Sequence, residues 1–396
     1  MLKDKTVVLG VTGSIAAYKT ASLASSLVKL GCDVHVIMTQ NATNFINPIT
    51  FETLTSNKCL VDTFDRNFQF NVEHVSLAKK ADLFMIAPCS ANVIGKIAGG
   101  IADDMLTTTV MAAKCPVYIS PAMNTNMFEN PIVQDNIKKL SDYGYHIIDP
   151  ASGYLACGDT GKGKMPDPEL LLEYVLDAIE FDKDLAGKKV LVSAGPTREA
   201  IDPVRFITNH STGTMGYALA ANARKRGANV TLVTGPTSID KPQFVNVVDV
   251  VSAADMKDAM EKHFGEADVV IMCAAVADFR PRNVADNKIK KSTMDEMCIK
   301  LESTDDILGT LMKNKKNQLV CGFSMETENM IENSKAKLEK KGLDMICANN
   351  VKEKGAGFGT STNAVTIITK DETQKIPMAS KSDVAKVIID AIVSKM

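Results

Sequence analysis

The chain has 396 residues, enough for two domains that each bury a sizeable core. A net charge of -2 gives no general pull toward nucleic acid or anionic membrane, and aromatics at 5% with no Trp argue against base-stacking surfaces. Nine cysteines, an odd count with no C-x-x-C pair, argue against a disulfide framework or a thiolate zinc site and fit a reducing, cytoplasmic setting.

The opening TVVLGVT, residues 6–12, is a β-branched run suited to a buried parallel strand and reads as structure, not as a signal peptide. Gly13-Ser14 turns the chain, a helix is expected over 15–30, and Gly31 closes it. Strands are expected at 33–38, 82–87 and 117–120, and a helix at 169–179. The grammar restarts with KVLVS at 189–193, a helix over 216–226 closed by Gly227, and VTLVT at 230–234. Strands at 268–273 and 319–323, a helix at 329–341, a strand at 345–348 and a helix from 382 complete it. No apolar run is long enough for a membrane span. The pattern predicts an α/β protein with two doubly wound, Rossmann-like domains and mostly parallel sheets, 1–185 and 186–396.

Such sheets bind ligands beyond the carboxyl ends of their strands. The glycine turns there are not G-x-G-x-x-G, and the second strands end in Thr39 and Thr234 rather than an acid, so a dinucleotide is not expected. Gly13-Ser14 reads either as an anion site at a helix N-terminus or as a plain turn and cap. Residues 88–92, Asp103-Asp104 with Thr107-Thr108, and residues 121–124 supply polar groups at strand ends or helix starts. The segment 153–163 carries four glycines around Cys157, the composition of a mobile lid.

GSIAAYK at 13–19, PCSAN at 88–92, PAMNTNM at 121–127 and ACGDTGKGKM at 156–165 resemble the flavin-containing cysteine decarboxylases. The whole chain resembles the bifunctional family that joins phosphopantothenoylcysteine decarboxylase to phosphopantothenate–cysteine ligase, with Phe128 standing where that family usually has Trp. The resemblance implies a flavodoxin-like half that binds FMN through Ser14, Thr39, Ser90, Thr107 and Thr108. It implies Asn124 for the substrate carboxylate, His74 as an assistant of oxidative decarboxylation, and Cys157 as the final proton donor. The chemistry implied is oxidation to a thioaldehyde, loss of carbon dioxide to an enethiol, and its reduction.

In the second half, Lys288-Ile-Lys-Lys reads from spacing alone as a solvated basic patch, and Lys337 and Lys341 share a helix face. No P-loop occurs. The resemblance implies instead a CTP site formed by Ala274, Ala275, Asp278, Lys288, Phe323, Lys337 and Lys341, with Asn209 acting on an acyl-cytidylate and Lys288 also supporting its formation. It also implies Mg²⁺ with the triphosphate, small-molecule substrates, and homo-oligomers built from trimeric flavin halves and dimeric ligase halves, together a dodecamer. Two rivals are a peptidyl-cysteine decarboxylase with a degenerate second half and a non-catalytic flavoprotein subunit. The cysteine lid and histidine argue against the second, and the lysines with Asn209 against the first.

Overall fold

The computed structural model describes residues 2–64, 73–154, 158, 160–290, 298–326, 328–350 and 357–396. The apolar run Thr6–Val11 forms β1, buried along its whole length. Its side chains alternate between two cores. Val7, Leu9 and Val11 pack with Leu23 and Leu27 of the helix Ala17–Lys29, while Val8 packs with Ile94 and Leu106 on the other side. A strand buried on both faces needs helices on both faces, which is the doubly wound arrangement.

β2 (Asp33–Met38), β3 (Leu83–Cys89), β4 (Val117–Pro121) and the short β5 (His146–Ile147) pair in parallel in the order β2-β1-β3-β4-β5. This is the flavodoxin-like order, whose direction reverses at β1 and β3 and leaves a crevice beyond their carboxyl ends. Thr12 seals that point: its hydroxyl donates to Pro88 O and accepts from Ser90 N. Outside the sheet, β6 (Ala151–Tyr154) and β7 (Thr160–Lys164) pair antiparallel.

The chain divides into two compact units, Met1–Phe181 and Asp182–Met396. Leu185, at the boundary read from sequence, is already buried in the second unit's core, and its N–H donates to Arg226 O. That unit opens with β8 (Lys189–Ala194), followed by a hairpin of β9 (Arg198–Ala200) and β10 (Phe206–Thr208). β11 (Asn229–Thr234), β12 (Asn246–Asp249) and β13 (Val269–Met272) come next, then a second hairpin of β14 (Phe279–Pro281) and β15 (Leu301–Ser303). β16 (Leu319–Glu326), β17 (Met345–Asn350), β18 (Thr362–Ile368) and β19 (Thr373–Ser380) complete an eight-stranded sheet. Its order is β12-β11-β8-β13-β16-β17-β18-β19, parallel through β17 and antiparallel at β18 and β19. Val190 and Val192 face one core and Leu191 the other, so this sheet too is covered on both sides.

The helix Thr214–Lys225 begins two residues earlier than the spacing predicts. Gly216 lets it lie against β8, since a Cβ there would sit 2.5 Å from the Cβ of Ala194. Arg226, just past its end, is 6% exposed and bonds Asp184 and Asp390, the latter on the helix Lys381–Val393. Replacing Arg226 by Met leaves two partly exposed carboxylates without their cation. We expect a loss of about 2 kcal/mol in the second unit's stability by urea unfolding, less than for a fully buried pair because both carboxylates reach solvent. The hydrogen bond from Arg226 holds the Asp184 carboxyl below its ordinary pKa. Its stabilisation is therefore complete above the unfolded carboxylate value of about 4 and is lost as pH falls through the lowered folded value. The gap between wild type and variant should narrow in acid.

Candidate active sites at two sheet edges

In the first unit, Ser14 and Asn124 meet across a cavity of about 520 Å³, which Lys19, Tyr154, Gly163 and Met165 also line. Three contacts fix its walls. Lys19 Nζ donates to Met165 O at 3.2 Å and pairs with Asp167 at 2.7 Å. Met123 N donates to Gly163 O at 3.0 Å. Gly163 has φ +133° and no room for a Cβ, which would lie 2.3 Å from Met123 O. Together these clamp β7, the strand after the glycine-rich segment, against the loop that carries Asn124. Asn124 caps the short helix Thr125–Phe128 by accepting from Asn126 N. Cys157 lies outside the described residues. His74 is half-buried on the helix Glu73–Lys80 and is not among the residues lining this cavity.

Two buried hydroxyls at the same sheet edge lack partners and two half-buried ones have hydrogen-bonding capacity to spare, which is the pattern expected where a polar ligand supplies the rest. Thr39 Oγ1, just beyond β2, and Ser120 Oγ, in β4, are buried with no hydrogen bond. Ser90 caps the helix Ala91–Gly99 with no side-chain bond. Ser14 Oγ accepts from Ala16 N at 3.3 Å, which leaves its proton to donate. These groups fit an FMN phosphate and ring. Thr107 is differently engaged: it is fully buried and closes a capping box with Asp104, while the Thr108 hydroxyl donates to Ala102 O. Ser120 escapes a reading of the sequence because a single serine in an apolar strand carries no spacing signal.

In the second unit, the loops after β8 and β13 are laced together. Ala275 N donates to Gly195 O, Ala277 N to Thr197 Oγ1, and Ala274 N to Ser193 Oγ. Asn209 Nδ2 donates to Ala275 O at 2.8 Å, so the loop after β10 is pinned to the same edge. Ala274, Ala275 and Phe323 line one cavity of about 120 Å³. Asp278, Lys288, Lys337 and Lys341 are not among its lining residues. Asp278 and Lys288 are exposed. Lys337 and Lys341 lie on the helix Met330–Lys341, where Lys341 Nζ bonds Asp306. Burial works against the Asp306 charge, but the bond from Lys341, helped by Gly309 N and the nearby Lys337, holds its carboxyl below the usual range.

Asp202 is a group the sequence reading did not single out. Its side chain is fully buried and accepts from Val204 N, Arg205 N and Ile289 N. Arg205 Nη2 in turn donates to Ile289 O at 2.8 Å. Burial raises the Asp202 pKa, yet the backbone donors outweigh it and hold the carboxyl below its ordinary value. The carboxylate thus ties the residue next to Lys288 to the β9–β10 hairpin. Asp202→Ala should release that segment and slow nucleotide-dependent pyrophosphate release roughly 10- to 100-fold, the scale of a misplacement near 1 Å, as measured in a single turnover. An unchanged rate would show that Lys288 needs no such anchor.

Fold and sites together define a flavoprotein domain followed by a second Rossmann-like domain. Residues 1–180 match the flavoprotein family, and residues 185–396 match the DNA/pantothenate metabolism flavoprotein C-terminal domain. The chain is 48% identical over 396 residues to the coenzyme A biosynthesis bifunctional protein CoaBC of Bacillus subtilis (strain 168), covering 99% of this chain and 97% of that one. The protein of the same name from Borreliella burgdorferi is 43% identical over 391 residues, covering 98% and 99%. This chain therefore belongs to the family of coenzyme A biosynthesis bifunctional proteins. It is also 48% identical over 359 residues to a cysteine/cysteine sulfinic acid decarboxylase from an unknown prokaryotic organism, covering 88% of this chain and 99% of that one. A solved C-terminal domain of a CoaBC protein shares 43% identity, covers 54% of this chain and 98% of its own, and has a TM-score of 0.47.

Proposed function

We propose that the second unit joins 4'-phosphopantothenate to cysteine at the expense of CTP, and that the first unit decarboxylates the product to 4'-phosphopantetheine with FMN. The observation that carries this reading is the match of both halves together to one bifunctional relative. A carboxylate is a poor acyl donor, so the ligase first forms an acyl-cytidylate and releases pyrophosphate. The amine of cysteine then bonds to the acyl carbon, the acyl–oxygen bond breaks, CMP leaves, and the amine's proton passes to solvent. Lys288, Lys337 and Lys341 hold the triphosphate, Asp278 the ribose or metal-bound water, and Ala274, Ala275 and Phe323 the rest of the nucleotide. Asn209 steadies the acyl-cytidylate. No cluster of three or more His, Cys, Asp or Glu among the described residues is placed to hold a metal. Mg²⁺ bound with the triphosphate would offset its charge, and Asp278 could hold metal-bound water.

In the first unit, Ser14, Thr39, Ser90, Thr107 and Thr108 hold FMN, although the engagement of both threonine hydroxyls inside the protein favours a backbone contribution from that helix start. Bound FMN supplies the reversible hydride chemistry that a direct decarboxylation lacks. Asn124 binds the substrate carboxylate, His74 assists decarboxylation, and Cys157 gives the last proton to carbon. The enzyme works in the cytoplasm as a homo-oligomer of trimeric flavin halves and dimeric ligase halves.

Purified, FMN-loaded protein given phosphopantothenate, cysteine, CTP and Mg²⁺ should yield both products by mass spectrometry. No phosphopantothenoylcysteine with CTP or any other nucleoside triphosphate would sink the ligase half. Accumulation of that compound without carbon dioxide would sink the decarboxylase half. The 48% match to a cysteine/cysteine sulfinic acid decarboxylase favours one second reading, in which free cysteine is decarboxylated directly. Cysteamine formed without phosphopantothenate would establish it.

A further inference from the structure

One lysine ties together the two helix starts that the FMN reading uses. Ser90 stands at the start of the helix Ala91–Gly99, and Lys96 sits in the last turn of that helix. Asp104 caps the next helix, Met105–Ala112, which opens with Thr107 and Thr108 near its start. Lys96 Nζ donates to Asp104 Oδ2 at 3.2 Å and to Asp103 Oδ1 at 2.7 Å. The Asp104 carboxylate is split between two tasks. Its Oδ1 accepts from Thr107 N and from the Thr107 hydroxyl, while its Oδ2 faces Lys96. The end of one helix is thus bonded to the cap of the other.

The two acidic partners differ in what they transmit. The Asp103 side chain is 55% exposed, against 25% for Asp104 and 23% for Lys96. Ion pairs open to water contribute little, so the shorter bond to Asp103 is the better screened one. The bond to Asp104 reaches directly into the helix cap. Apolar packing already brings the helices together, since Ile94 and Ile97 share a core with Met105, Leu106 and Val110. Such packing has no direction, and it fixes how close two helices lie better than how far one slides along the other. A bridge from last turn to cap removes that freedom. The register matters because a single ligand is proposed to meet both helix starts, and groups that share a ligand must be held to within about 0.5 Å. Charge points the same way. Without Lys96, two adjacent carboxylates stand uncompensated next to a helix start proposed to meet a phosphate-bearing ligand.

Resting on the FMN reading of the first unit, we propose that Lys96 is a positioning residue for flavin binding. Through Asp104 it holds the starts of the helices Ala91–Gly99 and Met105–Ala112 in the register that FMN requires, and it offsets the carboxylates beside them.

The test titrates FMN into the flavin-free full chain and follows the quenching of flavin fluorescence, well below the unfolding temperature. Lys96→Met should raise the Kd for FMN roughly 10-fold, the scale of one hydrogen bond to a charged group, and Lys96→Arg should restore most of the affinity. Asp104→Asn isolates the link, because the amide oxygen still caps Thr107 N while the amide nitrogen cannot accept from Lys96. It should weaken FMN about as much as Lys96→Met, and the double variant should be no weaker than either. Asp103→Asn should move the Kd by less than about threefold. A merely structural ion pair predicts something else, a lower unfolding temperature of the flavin-free Lys96→Met protein with an unchanged Kd. That result overturns the proposal, as do additive losses from Lys96→Met and Asp104→Asn. If Lys96→Met does not fold, the other two variants decide: equal FMN affinity in Asp104→Asn and Asp103→Asn overturns it. Wild-type protein that binds no FMN would instead sink the FMN reading itself.

Discussion

Replacing Cys157 by Ser should cut formation of the saturated thiol product by about 10³-fold or more and leave a product two hydrogens poorer, the enethiol, detectable by mass spectrometry. Proton donation from a positioned acid is worth roughly 10² to 10⁴ in rate, and a serine hydroxyl is a far weaker acid than a thiol. Carbon dioxide should still be released in the first turnover, because the substitution touches only the last proton. Ligation should be untouched. β7 is clamped by Lys19 and Met123 beside Asn124, so the strand that follows Cys157 in sequence is set against the loop proposed to bind the carboxylate. Full reduction by the serine variant would remove Cys157 from the mechanism.

The second large effect falls on the other unit. Asn209→Ala should slow amide formation roughly 10²- to 10³-fold, the scale seen when one donor to a developing charge is removed. Pyrophosphate release in a single turnover should survive, so acyl-cytidylate should build up and be trapped by rapid quenching. The bond from Asn209 to Ala275 O makes a second contribution, since it pins the loop after β10 to the sheet edge. Asn209→Asp removes both roles at once. It keeps the size of the side chain but replaces a donor by a charge that repels both the carbonyl and the cytidylate, and it should be no better than Ala. Equal loss of both half-reactions would show that Asn209 only holds the loop.

Much of the fold was legible because buried parallel strands announce themselves as unbroken β-branched runs. The strand read at 33–38 coincides with β2, and β1, β8 and β11 differ by a residue at an end. The missed pieces lacked that signal. β18 and β19 turn through residues 369–372 without the Gly or Asn that marks a tight hairpin, and β9, β10, β14 and β15 are three residues each. The sites divide in the same way. Ser14 and Asn124 were found by motif, and the structure brings them to one cavity. Asp202 and Asp306 were not found, because each matters through a partner distant in sequence: Asp202 through Ile289 and Asp306 through Lys341.

The helix Lys381–Val393 has a consequence for how the chain is made. Ile388, Ile389 and Ile392 fill the same core as Val190 and Val192 of β8, and Asp390 is one of the two anchors of Arg226. The first unit's last core residue, Ile179, leaves the ribosome long before these. The flavin-binding half can thus mature during translation, whereas the other half waits, with an open apolar face, for almost all of its own sequence to emerge. Chaperone dependence and sensitivity to nonsense truncation should accordingly be concentrated in the ligase half.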